Sequence, residues 1–136
     1  MVDTTRCQRP WGWFETLAEG PGYRVKRLVV QAGQRLSLQR HRHRSEQWLV
    51  ASGHGELWLA DERRPLVAGD SVTIPLGAVH RAAAEDELVI LELQRGELLS
   101  EDDIERFDDD YGRCSSAGST GWVTGWGNAG MASTES

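Results

Sequence analysis

Between residues 23 and 95 the apolar residues come in short runs, each closed by glycine, proline or aspartate. "YRVKRLVVQ" ends at "AGQ", and "LSLQRH" and "EQWLVAS" follow. "SGHGE" turns into "ELWLA", and "DERRP" and "LVAGD" lead to "SVTIP". "VHRAAA" and "ELVILELQRG" complete the series. Strand-length runs with turn signals roughly every 8–12 residues predict an antiparallel sandwich or barrel. No part of this region sustains a helical period. One helix is predicted afterwards, over 101–108. Ser100 and Asp103 fit a capping box, acidic residues fill the first turn, and Ile104 and Phe107 would face the barrel. Beyond Arg113 the chain turns to Gly, Ser, Thr and Ala with Trp122 and Trp126. The expected organisation is one domain over 1–113 and a Gly/Ser-rich flexible tail over 114–136.

The segment "LSLQRHRHRSEQW" carries the first candidate chemistry. In a strand, residues two apart share a face. Gln39, His41 and His43 would then point one way, and Arg40, Arg42 and Arg44 the other. Glu46 follows a short reversal and can return to the side of Gln39 and His41. Imidazole, carboxylate and amide oxygen form a mixed nitrogen and oxygen donor set for a divalent first-row metal. Taken alone, the segment fits a polar strand end with surface histidines equally well. A second segment, "GDSVTIPLGAVHR", tips the reading, because His80 follows a Pro-x-Gly turn at Pro75–Gly77. The expected ligands are Gln39, His41, Glu46 and His80.

Composition narrows the classes. The 136 residues carry a net charge of -6, which argues against a nucleic-acid binder. No apolar stretch has the length of a membrane span or the pattern of a signal peptide, so a soluble cytoplasmic protein is expected. Cys7 and Cys114 form no CxxC pair, so a zinc ribbon is excluded; one bridge joining the two ends is a minor alternative. Lys26 is the only lysine, and the remaining basic residues are arginine, suited to bidentate binding of phosphate or carboxylate.

The two segments together resemble the paired motifs of the cupin superfamily. Gly33, Gln39, His41, Glu46 and Gly53 fit the first motif, with Gln39 where many cupins have histidine. Gly69, Pro75, Gly77 and His80 fit the second. "RPWGWFETL", "VKRLVVQAGQRLSLQRHRHRSEQWLVASG", "IPLGAVHR" and "SEDDIERFDDDYGR" resemble, more narrowly, the C-terminal domain of type II mannose-6-phosphate isomerases, often fused to mannose-1-phosphate guanylyltransferase. The likeness runs over roughly residues 9–113. It implies an all-β double-stranded β-helix, a jelly-roll barrel, with the one short C-terminal helix. Arg42, Ser45 and Gln47 stand where the family often has histidine, alanine and histidine. Ala84 stands where many cupins have asparagine.

The resemblance implies interconversion of mannose 6-phosphate and fructose 6-phosphate through an enediol, feeding GDP-mannose and polysaccharide synthesis. It also implies one divalent ion, with zinc expected and manganese, iron, cobalt and nickel as other fits. Such chemistry needs a Lewis acid, a base and cations for the phosphate. His43 is the first choice as base, on strand parity. Lys26 is placed as base or phosphate anchor, and Arg44 and Arg81 as substrate contacts. Trp11, Trp13, Trp48 and Trp58 are read as packing residues. Partners implied are a sugar phosphate, a second copy in a homodimer and a separate guanylyltransferase chain, with no nucleic acid or membrane. A stand-alone cupin that binds metal and sugar phosphate without turnover is the alternative. An iron oxygenase is less favoured, because Gln39 replaces a histidine.

Overall fold

A computed structural model of the chain describes residues 5–114. Its strands are β1 (Cys7–Arg9), β2 (Gly12–Gly20), β3 (Tyr23–Val30), β4 (Leu38–Arg40), β5 (Ser45–Ser52), β6 (His54–Leu59), β7 (Glu62–Val67), β8 (Ser71–Ile74), β9 (His80–Ala84), β10 (Leu88–Arg95) and β11 (Glu105–Asp108). They form two antiparallel sheets, in the order β1-β2-β3-β10-β5-β8 and β11-β4-β9-β6-β7. The expected tail over 114–136, apart from Cys114, lies outside the described residues, as do Trp122 and Trp126. Cys7 and Cys114 are free.

Alternation along the strands explains the layering. On β10, Leu88, Ile90, Glu92 and Gln94 are buried, while Val89, Leu91 and Leu93 are half-buried. On β5, Glu46, Trp48 and Val50 are buried and Gln47 and Leu49 exposed. The inward apolar residues meet in one cluster with Trp11, Phe14, Leu28, Leu57, Leu66, Ile74 and Ala82. Burying each large aliphatic side chain contributes about 1.5–3 kcal/mol.

The segment 101–108 departs from the expected helix. Ser100 does start a turn: its hydroxyl accepts the Asp102 N–H at 3.1 Å, and its carbonyl accepts the Asp103 N–H at 3.2 Å. The chain then extends as β11, which pairs with β4 through Glu105↔Arg40 and Arg106↔Gln39. A helix would leave that edge of β4 without hydrogen-bond partners, and burying unpaired backbone groups is costly. Ile104 lines the interior cavity, and Phe107 is buried. The sequence reading also missed β1, β2 and β7; Pro65 in β7 sits on an edge strand, where proline is tolerated.

Two glycines fix the path near the ligand segments. Gly53 lies at φ +84°, and a Cβ there would meet the Glu87 carbonyl oxygen at 2.0 Å. Gly96 lets the His43 carbonyl pack against it, since a Cβ would lie 2.2 Å from that oxygen. This close approach holds the 41–44 loop against the end of β10.

Candidate metal centre

The two sheets bring the ligand-bearing segments together at one end of the sandwich. Gln39 on β4 is in register with His80 on β9. Glu46, on the opposite sheet, points inward from β5. His41 follows β4 directly and is buried with them. Gln39, His41, Glu46 and His80 line a single cavity of about 50 Å³, shared with Lys26, Arg44, Trp48, Glu92, Glu101 and Ile104.

Hydrogen bonds aim both imidazoles. His41 Nδ1 faces the Asp103 carbonyl at 2.7 Å, and His80 Nδ1 faces the Ala78 carbonyl at 2.9 Å. A carbonyl only accepts, so each Nδ1 carries the proton and each Nε2 presents its lone pair. His41 Nε2 lies 3.3 Å from one Glu46 oxygen, and His80 Nε2 lies 3.7 Å from the other. The candidate donor atoms of His41, Glu46 and His80 all fall within 4.8 Å of one another. A tetrahedral ion with bonds of about 2.0–2.2 Å separates its ligands by about 3.3–3.6 Å, and the 3.3 and 3.7 Å separations of the two imidazoles from Glu46 match that spacing. Gln39 Nε2 donates to the Ser37 carbonyl at 3.2 Å, which leaves its amide oxygen as the fourth donor.

The charges around this cluster are arranged in pairs. Arg44 Nε donates to Glu46 at 2.8 Å, and Arg44 Nη2 lies 3.3 Å from His41 Nε2. Trp48 Nε1–H bridges two carboxyls, at 3.1 Å to Glu46 and 3.0 Å to Glu92. Gln94 donates to Glu92 at 2.8 Å. Burial, reinforced by Arg44 and His80, pushes His41 down to about 3. Burial raises Glu46, but Arg44 and His80 outweigh it and hold this carboxyl low. Burial and the neighbouring Glu46 charge push Glu92 up. Two carboxyls in one cavity are thus driven apart, one toward the anion and one toward the acid.

Strand parity fails within residues 41–44. His43 is exposed and lines an outer groove with Arg40, Arg42 and Asp103, away from the cavity. Arg44, on the outer face by parity alone but expected to be brought around by the chain reversal as a substrate contact, is buried inside. The cause is that β4 stops at Arg40. The Arg42 and His43 N–H groups then bond to the Asp103 carboxylate at 2.8 and 2.9 Å, breaking the alternation. Arg81, expected as a substrate contact, points away from the cavity. Its neighbour His80 takes the inward position, so Arg81 bonds to the Leu36 carbonyl at 2.9 Å and to Asp108 at 3.0 Å. Lys26 is inside, paired with Glu101, its ammonium 4.0 Å from the Phe14 ring centroid.

Glu92, Glu101 and Arg113 line the cavity and escaped the sequence reading. Glu92 had a usable signal: it shares the inward parity of Leu88 and Ile90, and a carboxyl at a core position calls for explanation. Of the tryptophans, Trp11 and Trp48 are core residues. Trp13 and Trp58 are half-buried under Arg6 and Arg63, at 3.8 and 4.1 Å to the ring centroids. No helix among the described residues is long and apolar enough to cross a membrane.

Among solved structures, KdgF from a Halomonas species superposes with a TM-score of 0.61 at 22% identity, covering 67% of this chain and 87% of that one. An RmlC-like cupin from Shewanella frigidimarina gives 0.64 at 19%, covering 68% and 84%. At these identities they show the fold, which is that of a cupin. In sequence, the xanthan biosynthesis protein XanB of Xanthomonas campestris is 45% identical over 110 residues, 79% of this chain and 24% of that protein. The alginate biosynthesis protein AlgA of Pseudomonas aeruginosa is 44% identical over 107 residues, 77% and 22%. The mannose-1-phosphate guanylyltransferase ManC of Salmonella typhimurium is 40% identical over 107 residues, again 77% and 22%. The chain therefore spans about a quarter of the length of these relatives. Residues 2–109 match the family model described as mannose-6-phosphate isomerase C-terminal, and the chain belongs to that family.

Proposed function

We propose that this cupin is a metal-dependent sugar-phosphate isomerase that interconverts mannose 6-phosphate and fructose 6-phosphate. The observation that carries the reading is the make-up of one cavity: a His41–Glu46–His80 cluster, a second carboxyl at Glu92, and two cations at Lys26 and Arg44. Moving a proton between C2 and C1 of a sugar needs polarised oxygens, a base and anchors for the anion. Gln39, His41, Glu46 and His80 would hold the ion, with zinc as the proposed species; when bound, it supplies the Lewis acid. Glu92 replaces His43 as the proposed base, because it shares the cavity with the ligands and His43 does not. In its ionised form Glu92 would take the C2 proton and return it to C1. Trp48 and Gln94 fix the orientation of that carboxyl. Arg44 holds Glu46 and stands ready to stabilise negative charge on the enediol oxygens. Lys26 and its surroundings would take the phosphate.

The test is direct. Metal-loaded protein is supplied with mannose 6-phosphate, fructose 6-phosphate formation is followed, and metal content is quantified in parallel. Conversion that disappears in His41→Ala and His80→Ala supports the isomerase. Calorimetric binding of mannose 6-phosphate without conversion would favour the non-catalytic binding module. One observation favours that second reading: about 50 Å³ holds an ion and a few waters, whereas ligand pockets usually span roughly 300–1,000 Å³, so turnover requires the mouth to open. We also propose that the chain pairs as a homodimer and works beside a guanylyltransferase; sedimentation and co-purification test these two points.

A further inference from the structure

The mouth of the cavity is crossed by the segment between β10 and β11. Its Ser100 carbonyl accepts from Arg44 Nη1 at 3.3 Å, and Asp103 ties it to the 41–44 loop. At its centre, Glu101 reaches inward to the buried Lys26 ammonium, and the same Glu101 oxygen lies 3.6 Å from Arg24 Nη1. Lys26 is 3% exposed, so its charge needs counter-ions. Glu101 itself keeps 38% of its side chain in solvent. Two cations from one face of β3 thus converge on a single carboxylate at a solvent-facing opening. That is how a phosphate oxygen would be held.

We propose that Arg24 and Lys26 form an anion subsite for the phosphate of the substrate, and that Glu101 fills this subsite until the phosphate displaces it. The proposal rests on the isomerase reading for the identity of the sugar phosphate, though not for the anion chemistry. Arg24 Nε donates to Glu19 at 3.1 Å, which anchors the guanidinium at the mouth and leaves Nη1 facing the position that Glu101 occupies. Displacing Glu101 withdraws its carboxylate from the mouth and widens the opening beside Lys26, while Asp103 keeps its hold on the 41–44 loop. Phosphate binding and access for the sugar are thereby coupled, and anions lacking a sugar should bind the same subsite. A competitor tethered in the subsite lowers apparent affinity by the fraction of time it vacates it.

Titration calorimetry with inorganic phosphate tests this in the full chain, alongside melting temperature with and without phosphate. Glu101→Gln should bind phosphate on the order of tenfold more tightly than the parent protein. Phosphate should also raise the melting temperature of Glu101→Gln more than that of the parent. Adding Arg24→Gln or Lys26→Met to Glu101→Gln should remove both gains; Arg24 is partly exposed, so its variant should fold even if Lys26→Met does not. If Glu101→Gln binds phosphate no better than the parent, or if phosphate does not recover the stability lost on removing the ion pair, Glu101 is a structural tie and the proposal falls. Metal content and mannose 6-phosphate conversion are read separately. Their persistence with a failed phosphate result leaves the isomerase reading standing. Their loss with a positive phosphate result leaves the anion subsite standing.

Discussion

On β3, β10 and β5 the row Leu28–Ile90–Val50 and the row Lys26–Glu92–Trp48 are neighbours on the same inward face. The next row, Arg24–Gln94–Glu46, continues toward the mouth. Backbone, pairing and parity are the same in all three rows, yet the first is apolar and the other two are largely polar. The apolar row belongs to the cluster that drives collapse. The polar rows work against it, since a charge taken out of water costs several kcal/mol unless another group compensates it. Here the compensation is mutual: Arg44 with Glu46, Lys26 with Glu101, and Trp48 between two carboxyls. Well-packed apolar residues would usually serve stability as well or better. The difference between the rows teaches that one end of the sandwich builds the fold, while the other end uses its rigidity to hold buried polar and charged groups in place.

The comparison can be broken by crossing the two ends. The largest expected effect is at the polar end. His41→Ala and His80→Ala each remove a metal donor, so metal content should fall from about one ion per chain toward zero and conversion should vanish. Full metal retention in both variants would sink the assignment. Glu92→Gln keeps the size of the side chain but removes its basicity. It should lower kcat by ~10²–10⁴ while leaving metal content intact. His43→Ala should change neither, since that ring lies in the outer groove. A fall in kcat for His43→Ala with Glu92→Gln still active would reverse the choice of base. At the apolar end, Ile90→Ala should cost ~2–5 kcal/mol of stability in denaturant unfolding, with metal content per folded chain unchanged. If Ile90→Ala lost metal and Glu92→Gln lost stability instead, the division between the ends would be wrong.

The sequence carried most of the fold because its strands are short, alternating and closed by turn residues. It carried the grouping of Gln39, His41, Glu46 and His80 because glycine-bounded spacing brings β4, the residues just after it and the start of β9 opposite β5; all four line one cavity. It did not carry the orientation of residues 41–44. That orientation is set by Asp103, a residue of a distant segment whose carboxylate captures two consecutive N–H groups. Parity holds only while a strand lasts, and β4 lasts three residues. The 101–108 segment failed for a related reason: its acidic first turn and apparent cap favour a helix locally, but the free edge of β4 offered a ladder. Glu101 was hidden in the acidic first turn of the expected helix, and only the fold reveals that it turns inward to Lys26. Arg81 illustrates a different error: adjacent strand residues take opposite faces, so with His80 turned to the cavity its neighbour is buried on the other side of β9, against Leu36 and Asp108.

The smallest effect sharpens the comparison at the boundary of the polar end, where Asp103 holds the loop that presents His41 and Arg44. Its carboxylate accepts the Arg42 and His43 N–H groups, and its carbonyl accepts His41 Nδ1–H at 2.7 Å. Burial raises the pKa of Asp103, but the two N–H donors, with His41 and Arg44, outweigh it and hold the group below its ordinary 3.8. A folded-state value below the unfolded one means that the unfolded chain binds more protons as pH falls. The stabilisation from Asp103 is therefore fully present above pH 3.8 and lost as pH falls through the lower folded value. Asp103→Asn removes the charge and weakens both bonds, so it should cost about 1.5–3 kcal/mol at neutral pH, the range for hydrogen bonds to a charged group. The gap between parent and variant, measured by denaturant unfolding of metal-free protein, should stay flat from pH 7 to about pH 5. It should then narrow below pH 4 as the parent becomes protonated. A gap that stays constant into acid would mean that the loop depends on the shape of Asp103 and not on its charge. In that case the ordering of the polar end would have to come from the arginine and histidine contacts alone.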